Sequence, residues 1–225
     1  MMEELVSFFS VDHVLLRVDG REVSVPEALA TLFGLTCVFL AMRARVLNFW
    51  VGYLYNVLLF ALFLQKGLYS SMLVQPVSLA INAFGHYRWT HPHKEEENRK
   101  HQLKITVLTV PQRANILLIL VALTVAWGFV MSQLGTWMPW VFRPAQLPYI
   151  DALVMMSILT AQLLAAQKKL DTWGVWTIVN ITNITLYLLR GLVFMPFVSA
   201  AYMIMAVFGF KIWYEKYKKE TLGDE

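Results

Sequence analysis

Seven long apolar windows constrain this chain more than any other feature of its sequence. Each window holds about 18 to 22 residues with few charges, and most joints between windows are short and polar. A bilayer core about 30 Å thick is crossed by about 20 mostly apolar helical residues, so windows of this size predict membrane-spanning helices. Hydrophobic residues make up 58% of the chain, above the ~45–50% of ordinary globular proteins, and a water-soluble fold is not expected. The windows lie at 26–43, 48–65, 68–89, 114–134, 149–167, 172–190 and 193–213.

The segments outside the windows are predicted to lie at the membrane surface. Residues 1–25 are short and interrupted by charge, which is typical of an interfacial helix or a terminal strap rather than of a cleaved signal peptide. The one long connection, 91–113, has a dense run of charges and is predicted to be a solvated loop.

Lysine and arginine are distributed unevenly between the two predicted membrane faces. With seven spans, the loops after spans one, three and five share a side with the C-terminal tail. That side holds 14 of the 19 basic residues, and the other side holds five. Because cytoplasmic loops carry the excess of Lys and Arg, we expect the C-terminus in the cytoplasm and the N-terminus outside.

An internal repeat organises the windows. A shift of 124 residues places 27–89 on 151–213 without a gap, and 16 of the 63 positions are identical, including Asn56 with Asn180. Each copy holds three windows, and the single window between the copies restores the direction of entry, so the copies are predicted to be parallel. The expected fold is an all-α membrane protein with seven transmembrane helices in a 3+1+3 arrangement. Its parts are a strap at 1–25, repeats at 26–89 and 149–214, a connecting region at 90–148 and a tail at 215–225.

Three predicted spans each carry a stripe of amides and aromatic rings. Side chains spaced by three and four residues share one face of a helix. Uncharged carboxamides beside flat rings suit a flat, neutral or weakly charged solute that bears hydroxyl groups. Interhelical hydrogen bonding or an interfacial aromatic belt is the alternative for each single residue. The candidate solute-binding residues are Trp173, Trp176, Asn180, Asn183 and Tyr187 in span six, Gln75 and Asn82 in span three, and Asn56, Tyr53 and the adjacent Trp50 in span two.

The run WGVWTIVN, with Trp173, Trp176 and Asn180, resembles the W-x-x-W-x-x-x-N signature of PnuC transporters, the bacterial nicotinamide riboside permeases. The stretches NFWVGYLYNVLLFALFLQKGLY, NAFGHYRW and NITLYLLRGLV are also similar to that family, and the resemblance covers 27–213. It implies a bundle related to the SWEET sugar transporters, in the bacterial inner membrane. It also implies uptake of nicotinamide riboside by facilitated diffusion, with a cytoplasmic riboside kinase that traps the solute for NAD synthesis.

Other functions stay open from the sequence. PnuC-like transporters of thiamine, riboflavin or deoxynucleosides would share the pattern. A seven-helix retinal receptor would need a lysine in the middle of its last span, whereas Lys211 lies near the end of that span. An enzyme would need clustered catalytic groups, whereas His86 and the single cysteine, Cys37, are isolated. We expect no catalysis, no metal, no cofactor and no nucleic-acid partner, and the sequence leaves a homo-oligomer open.

Overall fold

Seven α-helices account for most of the chain. The computed structural model describes residues 13–18, 21–65, 69–98, 101–140, 147–189 and 194–222. The helices are α1 (Val25–Met42), α2 (Leu47–Gln65), α3 (Tyr69–Thr90), α4 (Val110–Trp137), α5 (Pro148–Ala166), α6 (Thr172–Leu189) and α7 (Phe194–Leu222). Two short antiparallel strands, β1 (Val14–Val18) and β2 (Arg21–Ser24), precede them, and a 3-10 turn, Lys94–Glu96, follows α3.

Five of these helices are long and apolar enough to cross a membrane by length and composition alone. They are α1, α2, α4, α5 and the Pro196–Thr221 part of α7. The described parts of α3 and α6 do not reach that level of hydropathy, although both were predicted as spans. These two helices carry Gln75, Asn82, Asn180 and Asn183, and the amides lower the apolar density of the helices expected to contact a solute.

Six of the helices form a closed ring. Each packs against the next in the order α1, α2, α3, α5, α6 and α7, and α7 packs against α1. We call α1–α3 and α5–α7 the two halves of the ring. Helix α4 lies outside the ring against α5, and all of its residues except Gly128 are exposed or partly exposed. A Cβ at Gly128 would overlap the Tyr149 ring, so the absence of a side chain there permits the close approach of α4.

The helix bounds follow the 124-residue offset of the sequence repeat. Helices α1 and α5 begin and end within one residue of that register, as do α2 and α6. The turns also agree, because Ala44 and Lys168 are 124 positions apart and both have a left-handed backbone, with φ of 55° and 54°. Residues with a Cβ adopt this conformation uncommonly. The α1–α2 and α5–α6 turns therefore share an unusual backbone path.

The N-terminal segment was predicted to be an interfacial helix or a terminal strap, and its described part is extended rather than helical. Val14–Val18 and Arg21–Ser24 pair as antiparallel strands, and residues 1–12 and 19–20 lie outside the described chain. The sequence did contain a hairpin signal, since the dipeptide Asp19–Gly20 favours a two-residue turn between strands. Ser24 then begins α1 with a capping box, in which its backbone N–H and its hydroxyl both donate to the Glu27 carboxylate.

The connection between α3 and α4 is packed, so the prediction of a solvated loop was wrong for its second part. Leu103, Ile105 and Leu108 are each at most 8% exposed. We call the described residues 91–98 and 101–109 the covering loop, because they lie over the ends of α3, α5 and α7. The corresponding end of the ring is the loop end. The alternation of apolar and polar residues in LKI, at 103–105, places two apolar side chains on one face of an extended segment.

Candidate solute-binding site

Four aromatic rings fill the ring of helices at its loop end, and we call them the aromatic plug. The Phe49 ring meets the Trp89 ring edge-on with centroids 5.0 Å apart, and Trp173 meets Trp213 in the same way at 5.4 Å. Trp89 and Trp213 join the two pairs at 5.9 Å. All four rings are buried, and Leu103 of the covering loop packs in the same cluster. The plug closes this end of the ring.

Two hydrogen bonds tie the halves of the ring together at the plug. Trp89 Nε1 donates to the Ala165 carbonyl at 3.1 Å, and Trp213 Nε1 donates to the Ala41 carbonyl at 3.1 Å. Both donors and acceptors are related by the 124-residue offset. A buried donor left without a partner costs about 1–3 kcal/mol, so each bond favours contact of α3 with α5 and of α7 with α1.

Glycines at matched positions make room for the plug. A Cβ on Gly85 would lie 2.7 Å from the Phe49 ring and 2.9 Å from the Cβ of Ala166. A Cβ on Gly209, 124 residues later, would lie 2.7 Å from the Trp173 ring. Such distances are shorter than real Cβ contacts, so a larger residue would displace the rings.

Asn56 and Asn180 also occupy matched positions. Asn56 Nδ2 donates to the Gly52 carbonyl at 2.8 Å, and Asn180 Nδ2 donates to the Trp176 carbonyl at 2.9 Å. Their side chains are 8% and 5% exposed. In the described chain neither carboxamide oxygen accepts a hydrogen bond. A carboxamide oxygen can accept two, so each remains available to a donor from another molecule.

The carboxamides of α3 have a different setting. Asn82 Nδ2 donates to the Phe49 carbonyl of α2 at 2.9 Å, and a Cβ on Gly52 would lie 2.6 Å from Asn82 Oδ1. This is the interhelical hydrogen bond that the sequence offered as an alternative to solute contact. Gln75 is buried, two helical turns earlier on the same face of α3.

The aromatic residues predicted in span two lie outside the plug. Trp50 is 59% exposed, and its ring centroid lies 5.2 Å from that of His86. Tyr53 Oη lies 3.2 Å from His86 Nδ1. The structure thus groups Trp50 and Tyr53 around His86 at the surface of α2 and α3, where an aromatic belt would also place a tryptophan.

The stripe on α6 extends from the plug toward the opposite end of the ring. Trp173 is part of the plug, and Trp176 packs against its edge. Asn180 follows as a buried residue, and Asn183 and Tyr187 lie beyond it, partly buried. The helix therefore presents rings at the loop end and amides further along.

Lys168, in the α5–α6 turn, binds the covering loop. Its Nζ donates to the Leu103 carbonyl at 2.7 Å and lies 4.7 Å from the centroid of the Trp89 ring. Burial lowers the pKa of the Lys168 ammonium to about 8, and the positive charge of Lys216 adds to this effect, while Glu220 opposes it. Burial of a charged group costs free energy, and Lys168 is only 4% exposed. We therefore take its contacts with the Leu103 carbonyl and the Trp89 ring as specific interactions.

Two carboxylates hold the covering loop from the second half of the ring. Glu220 of α7 accepts from Asn98 Nδ2 at 2.9 Å and from the Ile105 amide at 3.0 Å. Asp171, in the α5–α6 turn, accepts from the Leu108 amide at 2.8 Å and from Arg113 Nε at 2.7 Å. Hydrogen bonds to charged groups are stronger than neutral ones, so these contacts fix the loop over the plug.

The family described as "Nicotinamide mononucleotide transporter" matches residues 24–215, which span the ring, the plug and the covering loop. The chain belongs to this family. Its five apolar helices make it a multi-pass membrane protein, and its relatives are transporters rather than enzymes.

Two relatives and one solved structure match this chain over most of its length. The nicotinamide riboside transporter PnuC of Escherichia coli (strain K12) is 29% identical over 230 residues, covering 92% of this chain and 94% of the relative. The riboflavin/roseoflavin transporter RibM of Streptomyces davaonensis is 21% identical over 197 residues, covering 87% of each. The crystal structure of the vitamin B3 transporter PnuC matches with a TM-score of 0.61 at 20% identity, covering 86% of this chain and 82% of the other. This last likeness establishes a shared fold.

Several groups at the contact between the two halves were not predicted from the sequence. Trp89 and Trp213 were recognised as a repeat match, but their bonds between halves depend on packing that no local pattern records. Gln162 was not singled out, although its carboxamide oxygen is buried and accepts no hydrogen bond in the described chain. A signal existed, since the repeat aligns this polar residue with Val38.

Proposed function

We propose that the protein is a uniporter that takes up nicotinamide riboside, an NAD precursor. The observation that carries this proposal is the W-x-x-W-x-x-x-N motif of α6. Its Asn180 is buried among the six helices, near the two tryptophans of the motif, and the Asn180 oxygen accepts no hydrogen bond in the described chain. Membership of the transporter family and the 29% identity to a nicotinamide riboside transporter support it.

The chemistry of the solute fits the candidate residues. The pyridinium ring of nicotinamide riboside is a flat cation, which tryptophan faces attract. Its ribose hydroxyls and carboxamide are matched by side-chain amides. We assign the solute contacts to the predicted residues in order of support. Trp173, Trp176 and Asn180 come first, then Asn183, Tyr187, Gln75, Asn82 and Asn56, and finally the surface pair Trp50 and Tyr53.

Transport would proceed by alternating access between two parallel three-helix repeats in a 3+1+3 arrangement. The register of helices, turns and tryptophan bonds at an offset of 124 residues supports this arrangement. In the state described here the plug and the covering loop close the loop end. Solute release there would require the halves to separate at Trp89 and Trp213.

The loop end faces the cytoplasm in our proposal, with the N-terminus outside the bacterial inner membrane. The excess of Lys and Arg at the loop end supports this orientation. A uniporter moves its solute only down a concentration gradient. A cytoplasmic kinase that phosphorylates the riboside would lower the concentration of free solute inside and keep net transport inward. Assembly into a homo-oligomer is compatible with the exposed outer surface of the ring.

Riboflavin is the second candidate solute, because the relative RibM is named as a riboflavin and roseoflavin transporter. Riboflavin is also a flat ring that bears hydroxyl groups. Its tricyclic ring is larger and uncharged, so the aromatic faces would stack on it without a cation–π contribution.

Proteoliposomes loaded with a riboside kinase and ATP test both candidates. Labelled nicotinamide riboside should accumulate in vesicles that hold the protein and not in protein-free vesicles. Unlabelled riboside should compete in excess, and riboflavin should not. Uptake equal to that of protein-free vesicles would overturn the assignment, and competition by riboflavin alone would transfer it to the second candidate.

A further inference from the structure

Gln162 of α5 is a partly buried polar residue with a buried carboxamide oxygen that the packing of the protein does not explain. Its carboxamide oxygen is inaccessible, and in the described chain no donor reaches it. A buried acceptor without a partner costs about 1–3 kcal/mol, and native structures retain few of them. An unsatisfied acceptor inside a transporter therefore points to a donor that arrives from outside the protein.

The position of Gln162 places it beside the plug. Ala166 faces α3, since its Cβ lies 2.9 Å from the position of a Cβ on Gly85. Gln162 is four residues earlier, on the same face of α5 and one turn further from the loop end. Val38, at the matched position in α1, packs against the cluster that contains the plug.

Comparison of the two halves shows a polar side and an apolar side of the ring. Three carboxamides lie on the neighbouring helices α3 and α5, on Gln75 and Asn82 of α3 and on Gln162 of α5. The matched positions in α7 and α1 are Ser199, Ala206 and Val38. A solute bound between the halves thus meets three carboxamides from α3 and α5, whereas the matched positions in α7 and α1 offer the single hydroxyl of Ser199.

We propose that Gln162 is a solute-contacting residue, whose carboxamide oxygen accepts a hydrogen bond from a hydroxyl or amide N–H of the solute. This inference rests on the proposed function, since it deepens the description of the same site. It orients the solute with its hydrogen-bond donors toward the contact of α3 with α5.

The test is binding of labelled nicotinamide riboside to purified Gln162→Leu in detergent, with the melting temperature measured in parallel. We expect Kd to rise about tenfold, as for the loss of one buried hydrogen bond. The melting temperature without solute should stay level or rise, because leucine removes an unsatisfied acceptor. The matched control is Gln133→Leu in α4, outside the ring, which should bind as the wild type does.

The outcomes separate the inference from the function on which it rests. Unchanged affinity in Gln162→Leu, with binding by the wild type, overturns the role of Gln162 alone. A lower melting temperature with unchanged affinity identifies Gln162 as a packing residue and has the same consequence. A wild type that binds neither nicotinamide riboside nor riboflavin overturns the proposed function and this inference together. Nicotinic acid riboside, which lacks the amide N–H, identifies the donor, since the effect of the substitution disappears if that N–H is the partner.

Discussion

At the residue scale, the carboxamides of the protein are of two kinds. The side-chain N–H of Asn82 donates to the backbone of a neighbouring helix and links α3 to α2. The side-chain N–H of Asn180 donates to a carbonyl of its own helix, and its carboxamide oxygen accepts no hydrogen bond in the described chain. The sequence showed both as members of polar stripes. Their roles separate only when the acceptor of each N–H is known.

Substitution of Asn180 by alanine should weaken solute binding without unfolding the protein. The side chain links no two helices, and its loss removes an acceptor worth about tenfold in Kd. Isothermal titration of nicotinamide riboside measures the effect. Thr185→Ala is the control, because that exposed hydroxyl also bonds to its own helix, at Ile181. Equal affinity of Asn180→Ala and Thr185→Ala would assign Asn180 to packing.

Lys168 gives the protein a dependence of stability on alkaline pH. Its pKa falls from the usual 10.5 to about 8, so its burial penalty is full below pH 8 and is relieved as pH rises toward 10.5. In that range the unfolded chain binds more protons, and stability from this group increases with pH. The melting temperature of the wild type relative to Lys168→Met should therefore rise between pH 8 and pH 10.5. Lys219→Met, at an exposed position, is the control, and parallel curves for wild type and Lys168→Met would contradict the expectation.

At the scale of elements, the apolar windows predicted the helices well because hydrophobic length is a local property. The predicted and described ends mostly differ by only a few residues. Helix α4 begins earlier than its window, at Val110, because Thr109 and Gln112 form a capping box ahead of the apolar run. The covering loop was not predicted, since its burial depends on contacts with α5 and α7 that are distant in sequence.

Glu220 should control the mobility of the covering loop. Glu220→Gln leaves one acceptor oxygen in place of two, because the amide NH2 group cannot accept from Asn98 or from the Ile105 amide. One of the two hydrogen bonds is lost and the other becomes a weaker neutral one, so the loop opens more often. Hydrogen exchange at the amide of Ile105 should become about tenfold faster, as for a loss of roughly 1.4 kcal/mol in local stability. Glu215→Gln, exposed on the same helix, is the control. Exchange that is equally slow in both variants would show that Lys168 and Asp171 hold the loop without Glu220.

At the scale of the whole molecule, the ring is held at the loop end by two equivalent indole bonds. Equivalence predicts that Trp89→Phe and Trp213→Phe have similar effects, because each removes one N–H donor and retains most of the ring. Both should raise the fraction of molecules open at the loop end. Cysteine introduced at buried Ala206, in a Cys37→Ala background, reports this by its rate of labelling with a maleimide.

The expected increase in labelling is about tenfold for either substitution, corresponding to one lost hydrogen bond. Trp137→Phe in α4 should leave the rate unchanged, since that indole is exposed. Strong labelling in one variant and none in the other would mean that the two bonds differ in strength, and that the halves do not separate symmetrically.

The location of α4 outside the ring has a practical consequence. In the described chain, α4 packs mainly against α5 and lies outside the ring, so it can carry foreign groups at little cost to the rest of the protein. Leu118, which is 69% exposed, offers a place for a fluorophore or a spin label. Such a reporter would sit on the described helix that lies outside the ring. In the proposed alternating access, it would provide a reference from which the motion of the two halves could be measured.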